Sequence, residues 1–297
     1  MDEWQDVEVF ESALHVDGNG QATSRRPSSV RGPSARAYLL IVLGEYALNH
    51  GGAAWTQTVV DTLALAGFEA KAARQALTRT AAEGLLVSQR VGRRTRWEVT
   101  PAGHDFLIAA KNRLFAAGPE TDWNGDWLIL LTSVPENHRN LRHRLRAALS
   151  WAGFGSPVPG VWLSPHPTRA TEARQALGSV GEPVQATLLH ARLDDAEERH
   201  RLVGQAWDVA ALDEDYSAFV DHFATATPAS PGETLAQLAH LVYRWRRLLL
   251  ADPGLPPTLL PAGWSGEQAR ELLLDLHRRW HPTALTWWRD REATHAR

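Results

Sequence analysis

Apolar and polar positions repeat with helical spacing over most of this chain. From Ser34 onward, the pattern predicts a helix at 35–48 and a second helix at 56–66, separated by a turn rich in glycine. Beyond residue 194 it predicts four more helices. We expect the last of them to end near Trp280, because Pro282 lacks the backbone donor that a continuing helix uses.

A short amphipathic helix and a hairpin follow the second helix. Small and apolar side chains share one face of this helix, and polar and basic side chains share the other. After Gly84, two strands at 85–90 and 95–99 flank a turn that contains two arginines. A further helix begins after Thr100. This order of elements is typical of a winged-helix domain.

The polar face of the short helix and the hairpin supply candidate DNA-binding residues. A recognition helix in the major groove binds base edges with side chains such as Arg and Gln, and wing arginines contact phosphates or the minor groove. The alternative is a solvated amphipathic helix followed by an ordinary hairpin. The candidate DNA-binding residues are Lys71, Arg74, Gln75, Thr78, Arg79, Arg90, Arg93, Arg94 and Arg96.

Short strands and helices alternate in the middle of the chain. Strands at 127–131, 160–163 and 183–189 alternate with helices at 140–151 and 169–177. The order is close to βαββαβ, with one strand unclear, and predicts a ferredoxin-like sandwich. The tryptophans expected in the core are Trp127, Trp162 and Trp207.

These patterns together predict an α+β fold with four segments. We expect a disordered tail at 1–33, because its composition cannot bury enough apolar surface to order itself. A winged-helix DNA-binding domain follows at 34–117, and then a ferredoxin-like dimerisation domain at 118–193. The remaining residues, 194–297, form a helical candidate effector domain.

Charge is unevenly distributed along the chain. The formal net charge is -3, yet residues 71–113 hold nine Lys and Arg against three Asp and Glu. Residues 194–233, in contrast, hold ten acids against two arginines. This asymmetry indicates one end that binds a polyanion and a separate end with another role.

The composition excludes several kinds of site. The chain has no cysteine, which excludes disulfides, thiol catalysis and thiolate metal ligands. Its longest apolar run, at 37–43, is far shorter than a membrane span, and the acidic start after Met1 differs from a signal peptide. We therefore expect a cytoplasmic protein with no membrane partner and no cofactor.

Three stretches resemble one known family. The first is residues 43–46 (Leu-Gly-Glu-Tyr) followed by the predicted winged helix with its Gly-Arg-Arg turn. The second is residues 123–165, and the third is residues 244–266, with an Arg-rich helix end and two proline-containing turns. In order and spacing they resemble the PaaX-type transcriptional repressors of phenylacetate catabolism. The chain departs from that family at 248–250, where three leucines replace a common aromatic-proline pair.

The resemblance implies a homodimeric repressor that binds a double-stranded DNA operator and releases it when an acyl- or aryl-CoA thioester binds. Clustered guanidinium groups beside an aromatic wall suit the phosphates and the adenine of such an effector. We expect no enzymatic activity. The candidate effector-binding residues are Arg244, Trp245, Arg246, Arg247 and Trp264.

Other interpretations of the same residues stay open. The arginines at 244–247 also suit ion pairs with the acids at 194–233, and Arg139, Arg142 and Arg146 form a second basic cluster. The function has two alternatives. One is a winged-helix regulator that responds to a ligand other than a CoA thioester, and the other is a hydrolase or nuclease built on the ferredoxin-like domain.

Three short motifs bear on enzymatic activity and metal binding. The first predicted strand of the ferredoxin-like unit ends at 131–133 (Leu-Thr-Ser), without the carboxylate that two-metal cleavage needs. Residues 263–267 (Gly-Trp-Ser-Gly-Glu) are one residue short of a nucleophile elbow. His277 and His281 stand four apart, as metal ligands do on one helical face, but we interpret them as a surface pair.

Overall fold

Helices and two small antiparallel sheets make up an α+β fold. The computed structural model describes residues 34–115, 123–135, 138–180 and 184–297. The predicted tail at 1–33 lies outside these residues. The elements form an N-terminal group, a central group and a C-terminal group of helices.

The N-terminal group begins with helix α1 at Ala35–Val42. Ser34 caps this helix, because its Oγ accepts a hydrogen bond from the backbone N of Ala37 at 3.1 Å. The chain continues as a π-helical turn at Leu43–Ala47 and a 3₁₀ turn at Leu48–His50. The predicted first helix is therefore helical throughout, but only its first part is an α-helix.

The rest of the N-terminal group consists of the three strands of a small sheet and three helices. They are β1 at Ala53–Trp55, α2 at Thr56–Leu65, α3 at Ala70–Ala82, β2 at Leu86–Val91, β3 at Arg94–Val99 and α4 at Pro101–Leu114. The sheet order is β1-β3-β2, and both strand pairs are antiparallel. The sequence pattern did not predict β1, because three residues are too few to show an alternation of apolar and polar positions.

The core of this group lies between α1, α2 and α3. Leu43, Leu63 and Leu77 are buried there, as expected for apolar positions on the inner faces of packed helices. Gly103 in α4 lies against the hairpin backbone. A Cβ at this position would come within 2.2 Å of the Leu85 carbonyl oxygen. The close approach of α4 to the start of the hairpin therefore depends on this glycine.

The central group contains a four-stranded sheet. Its elements are β4 at Asp126–Ser133, α5 at Arg139–Trp151, β5 at Gly155–Val158, β6 at Val161–Ser164, α6 at Ala170–Ser179 and β7 at Gln185–Arg192. The sheet order is β5-β6-β4-β7, and all neighbouring strands are antiparallel. The strand that was unclear from the sequence is β5.

Both faces of the central sheet are covered. Leu128 packs with buried residues of α5 and α6 on one face, and the adjacent Trp127 packs with Val203 on the other. This arrangement follows from the alternation of side chains along a strand. Trp162 lies in the first of these clusters and Trp207 packs against the second. The predicted core positions of the three tryptophans are thus confirmed.

Four helices complete the chain: α7 at Ala196–Ala206, α8 at Val209–Ala224, α9 at Pro231–Ala251 and α10 at Ser265–Ala296. The prediction that α10 ends near Trp280 is wrong, because the helix continues through Pro282 to Ala296. An interior proline costs about 3 kcal/mol. Ala284 and Trp288, both fully buried, offset this cost by packing the helix beyond the proline.

The described residues divide into two compact units that do not follow chain order. The first contains residues 34–115 together with Asp221–Arg246 and Arg270–Arg297. The second contains the described residues between 123 and 220 together with Arg247–Ala269. Parts of the C-terminal helices therefore belong to each unit, and the predicted division into consecutive domains stays a prediction. Within the described ranges, no helix has the length and apolar character needed to cross a membrane.

Candidate nucleic-acid interface

Helix α3 has one buried face and one exposed face. Ala73, Ala76 and Leu77 are buried, and the helix packs against α1 and α2. The opposite face presents three cations, an amide and a hydroxyl to solvent. These exposed residues are the five helical candidates Lys71, Arg74, Gln75, Thr78 and Arg79.

The turn between α2 and α3 fixes the direction of α3. Gly67 has a φ of 84°, a left-handed conformation that glycine adopts without strain. The backbone N of Phe68 donates to the Leu63 carbonyl oxygen at 3.0 Å, which closes the end of α2. The Phe68 ring then packs edge-on against Tyr38 of α1, with the ring centroids 5.2 Å apart. The exposed face of α3 is therefore held on a packed scaffold.

Strands β2 and β3 meet in a two-residue turn at Gly92 and Arg93. Val91 pairs with Arg94 across this turn, and Gly92 has a φ of 61°, as short hairpin turns often require. Arg90, Arg93 and Arg94 are exposed. Arg90 Nε donates to the Gly92 carbonyl oxygen at 3.3 Å, so its guanidinium group lies beside the tip of the hairpin.

The hairpin arginines differ in their surroundings. Arg94 Nη1 donates to the carbonyl oxygen of His295, near the end of α10, at 2.5 Å. Arg96 is half-buried, and its guanidinium carbon lies 5.8 Å from the centroid of the Trp55 ring. Arg94 and Arg96 therefore contact other parts of the first unit, whereas Arg93 lies at the exposed tip.

Polar contacts join the end of α10 to the N-terminal elements. Glu292 Oε1 accepts a hydrogen bond from the backbone N of Trp55 at 2.9 Å. His295 Nε2 lies 2.9 Å from Asp61 Oδ2. Glu292 and His295 were not predicted as contact residues, because Pro282 suggested that the last helix ends near Trp280. The hairpin and α2 are thus linked to the C-terminal end of the chain.

A buried carboxylate, Glu45, lies in the π-helical turn after α1, a type of turn that often marks functional sites. Its Oε2 accepts a hydrogen bond from His277 Nε2 at 2.9 Å. His281 Nε2 lies 3.6 Å from the same oxygen and 3.3 Å from the Glu45 carbonyl oxygen. The prediction of a surface histidine pair is wrong, because the side chains of His277 and His281 are only 19% and 21% exposed and both face Glu45.

The surrounding charges set the protonation of this cluster. Burial acts to raise the pKa of Glu45, but the hydrogen bond and charge of His277, with Lys111 and His281, hold the pKa below its ordinary value. Burial lowers the pKa of His281, and His277 and Lys111 act in the same direction against the attraction of Glu45. Near neutral pH, Glu45 is ionised and His281 is a neutral imidazole.

Aromatic rings enclose the histidines. His281 stacks on Tyr46 with centroids 5.8 Å apart, and the ring of Phe115 meets His277 edge-on at 4.8 Å. One sequence signal could have identified Glu45. It is a single carboxylate within an apolar helical stretch, and a buried charge needs a partner.

The five candidate effector-binding residues fall in both units. Arg244, Trp245 and Arg246 follow one another on α9 within the first unit. Arg247 and Trp264 belong to the second unit. The structure therefore brings together the first three candidates as neighbours on one helix.

Two of these candidates take part in the packing of α9. Trp245 is buried, and its Nε1 donates to the Leu114 carbonyl oxygen of α4 at 2.9 Å. Arg246 is also buried and lines a small cavity with Glu45 and Lys111. This cavity has a volume of about 30 Å³, which is room for about one water molecule. A ligand that contacts these side chains must displace existing packing.

The second basic cluster lies on an exposed helical face. Arg139, Arg142 and Arg146 are exposed on α5, and the Arg146 guanidinium carbon lies 5.8 Å from the centroid of the Trp162 ring. β4 ends at Ser133, without a carboxylate at its end. In the described part of the chain, no three His, Cys, Asp or Glu side chains are arranged to hold a metal ion.

Comparison with known proteins gives consistent matches along the chain. Family models match at residues 34–103 (PaaX-like protein), 120–203 (PaaX protein central Cas2-like domain) and 207–290 (PaaX-like protein C-terminal domain). The transcriptional repressor PaaX of Escherichia coli (strain K12) is 27% identical over 265 residues, which cover 86% of this chain and 83% of the relative. In fold, the chain is similar to the uncharacterized protein Rv0674 from Mycobacterium tuberculosis, with a TM-score of 0.57, 23% identity, and coverage of 82% of this chain and 95% of that one. This chain belongs to the PaaX family.

Proposed function

We propose that this protein is a DNA-binding transcriptional repressor, and that it binds DNA through the exposed face of α3 and the hairpin of β2 and β3. The observation that carries the proposal is the division of α3 into a buried apolar face and an exposed face with three cations, an amide and a hydroxyl. Guanidinium and amide groups on such a face suit the edges of bases in the major groove. The E. coli relative is a transcriptional repressor, and this similarity supports the same role.

We interpret residues 34–117 as a winged-helix domain. The order of three helices, a hairpin and a closing helix supports this, as does the short strand β1 that completes the sheet. In this proposal α3 is the recognition helix. Arg90 and Arg93 contact phosphates or the minor groove from the tip of the wing. Lys71 and Arg79 contact phosphates on either side of Arg74 and Gln75.

We interpret residues 118–193 as a ferredoxin-like domain that forms a homodimer. If the strands are numbered along the chain, the sheet order is 2-3-1-4 and all pairs are antiparallel, which supports this fold. β7 is an edge strand, and Leu131 and Leu189 near this edge are 39% and 44% exposed. An open strand edge beside exposed apolar side chains favours pairing with a second copy. Trp127 and Trp162 are not available for this contact, because they are buried within the chain.

We propose further that an acyl- or aryl-CoA thioester binds the helical segment at 194–297 and releases the DNA. The three arginines at 244–247 suit its phosphates, with Trp245 as an aromatic partner, and Trp264 stays a separate candidate. Because Trp245 and Arg246 are buried, a ligand at this position repacks α9. Such repacking gives the ligand different affinities for two states of the protein, which release requires. In this proposal the protein acts in the cytoplasm.

An in vitro selection tests the DNA-binding role. Full-length protein is mixed with random duplexes, and the bound fraction is amplified over several rounds. We expect a two-fold symmetric sequence to be enriched and bound at least about a thousandfold more tightly than unselected DNA. The Arg74→Ala variant is expected to lose this preference, whereas Arg174→Ala, an exposed arginine of α6, keeps it. If wild-type protein enriches no sequence, the proposal is rejected.

A release assay tests the effector. The selected duplex carries a fluorescent label, and a panel of acyl- and aryl-CoA thioesters is titrated into the complex with free CoA as the control. We expect at least one thioester to lower DNA affinity. The double variant Arg246→Ala with Arg247→Ala is expected to bind DNA normally and to lose the response. If this variant responds like the wild type, the ligand binds elsewhere.

A further inference from the structure

A cavity lined by aromatic and charged side chains lies between β3 and the C-terminal end of α10, within the first unit. Its volume is about 300 Å³. We refer to it as the hairpin cavity. The side chains that give it chemical character are those of His50, Trp55, Arg96, Trp288, Arg289 and Glu292.

Two tryptophans border the cavity. Trp288 is fully buried, so the indole face open to an aromatic or planar ligand is that of Trp55, which is 9% exposed. Trp288 Nε1 and Arg96 Nε are buried and have no hydrogen-bond partner among the described residues. Buried donors in native proteins are nearly always paired. Arg96 and Trp288 both line the cavity, so an acceptor bound there that shifts either side chain would satisfy a donor that now has no partner.

The charges that line the hairpin cavity leave one positive charge uncompensated. Arg96 and Arg289 are cations, and Glu292 is the one carboxylate in the lining. Arg289 Nε donates to Nε2 of His50. Burial and the Arg289 charge lower the pKa of His50, so this imidazole is neutral near pH 7. Two cations and one anion leave a net charge that matches a monoanion.

We propose that the hairpin cavity binds a small aromatic carboxylate, with its ring against Trp55 and its carboxylate on Arg96 and Arg289. Benzene occupies a cavity of about 150 Å³. The hairpin cavity, at about 300 Å³, has room for one or two rings with a short carboxylate arm. None of its lining residues lies on α9, so this site is separate from the one proposed there.

Occupancy of the cavity is coupled to DNA binding, and this step rests on the proposed function. Arg94 and Arg96 lie two residues apart on β3 and therefore point to the same side of the sheet. Arg94 already bonds to His295 at the end of α10. A carboxylate held by Arg96 and Arg289 strengthens the contact between the hairpin and α10, which keeps both β3 arginines away from DNA. By linkage, DNA must weaken carboxylate binding by the same factor.

Binding of benzoate and 3-phenylpropionate to the full-length protein without DNA tests the site. Isothermal titration measures the affinity, and a thermal shift gives a second readout. Benzyl alcohol and benzylamine serve as the neutral and cationic controls. We expect at least one carboxylate to bind saturably at one site per chain and to raise Tm. The alcohol and the amine should bind at least about tenfold more weakly, because they lack the charge-assisted hydrogen bonds to the arginines.

Two matched arginine variants locate the binding. Arg289 and Arg278 are both exposed on α10, but Arg278 does not line the hairpin cavity. We expect Arg289→Gln to weaken carboxylate binding at least about tenfold and Arg278→Gln to leave it unchanged. Absence of saturable binding by both carboxylates, or equal affinity in wild type and Arg289→Gln, overturns the site. Carboxylate binding with no effect on the selected duplex supports the site and overturns the coupling. Carboxylate binding by a protein that binds no DNA supports the site and rejects the proposed function.

Discussion

At the scale of single residues, Glu45 holds the two imidazoles of His277 and His281 against the turn that follows α1. A buried, hydrogen-bonded carboxylate adds little net stability compared with apolar packing, because it loses water on folding. Removal of one member of the cluster has a larger effect. It leaves the remaining polar groups buried without their partner, and this costs several kcal/mol in other proteins.

We therefore predict that Glu45→Gln lowers the free energy of unfolding by about 2 kcal/mol. The amide keeps the shape of the side chain but replaces the carboxylate that accepts the hydrogen bond of His277 and lies beside His281. Urea denaturation followed by tryptophan fluorescence measures the effect. Glu271→Gln, an exposed position on α10, is the control and should change the value by less than about 0.5 kcal/mol. Equal midpoints for the two variants would show that the cluster contributes no stability.

A second residue-level prediction concerns His240. Its Nδ1 lies 2.9 Å from the Tyr38 hydroxyl, and burial, with the charges of His222 and Arg244, lowers its pKa to about 4. The unfolded chain protonates this imidazole near pH 6.5, before the folded protein does. The neutral imidazole therefore contributes fully to the free energy of unfolding above pH 6.5, and this contribution is lost as the pH falls toward 4. We predict that the free energy of unfolding of His240→Gln falls by about 1–2 kcal/mol less over this pH range than that of the wild type.

Melting temperatures measured between pH 7 and pH 4 test this effect. His190→Gln, at an exposed position of β7, serves as the control, and its profile should match the wild type. The interpretation fails if the profile of His240→Gln has the same slope as the wild-type profile.

At the scale of elements, the approach of α4 to the hairpin depends on a missing side chain. Gly103 lies where a Cβ would come within 2.2 Å of the Leu85 carbonyl oxygen, and the backbone has no room to give way cheaply. In α7, by contrast, a Cβ at Gly204 meets nothing within 4 Å. The two glycines are both helical, so their substitution separates helix propensity from packing.

We predict that the two alanine substitutions change the free energy of unfolding in opposite directions. Gly204→Ala should stabilise the protein by about 0.5–1 kcal/mol, because alanine favours the helix. Gly103→Ala gains the same propensity but forces α4 away from the hairpin, and it should destabilise by about 1–3 kcal/mol. Chemical denaturation gives both values. Stabilisation by Gly103→Ala would contradict the packing described for α4.

The elements also differ in how far the sequence predicted them. The two faces of α3 were predictable, because small residues and cations alternate at helical spacing over the whole helix. β1 was not, since Ala53–Trp55 is too short to show a period. The extension of α10 beyond Pro282 depends on buried tertiary contacts that outweigh a local helix breaker. For the same reason the sequence missed the contacts of Glu292 and His295.

At the scale of the whole molecule, the exposure of some predicted site residues follows from the sequence pattern, and the exposure of others depends on tertiary packing. Arg93 is exposed at the hairpin tip, as its position in a turn indicates. The sequence also suggested that Trp245 and Arg246 are free to bind a ligand, but both side chains are buried on α9. Periodicity gives the faces of a helix, whereas the burial of a mostly apolar helix depends on partners far away in sequence.

We predict that the protein is a dimer through β7. Sedimentation velocity at micromolar concentration should give the mass of two chains. Leu189→Arg places a charge on the exposed apolar surface near the open edge and should weaken the dimer at least about tenfold. Val158→Arg, at an exposed apolar position on β5 at the other edge, is the control and should remain dimeric. A monomeric wild type, or dissociation by the control instead, would contradict this arrangement.

The most direct test of the central claim is the salt dependence of DNA affinity in variants of α3 and of the hairpin. Fluorescence anisotropy measures the affinity for the selected duplex and for a random duplex across a range of salt concentrations. The double variant Arg90→Ala with Arg93→Ala should weaken both complexes and flatten the slope of log affinity against log salt by up to about two. Arg74→Ala should cost about 1–3 kcal/mol on the selected duplex and much less on the random one. Arg174→Ala with Arg201→Ala, which removes the same charge from exposed positions of α6 and α7, should match the wild type. Wild-type affinity and slope in both the hairpin and the α3 variants would contradict the claim that this surface binds DNA.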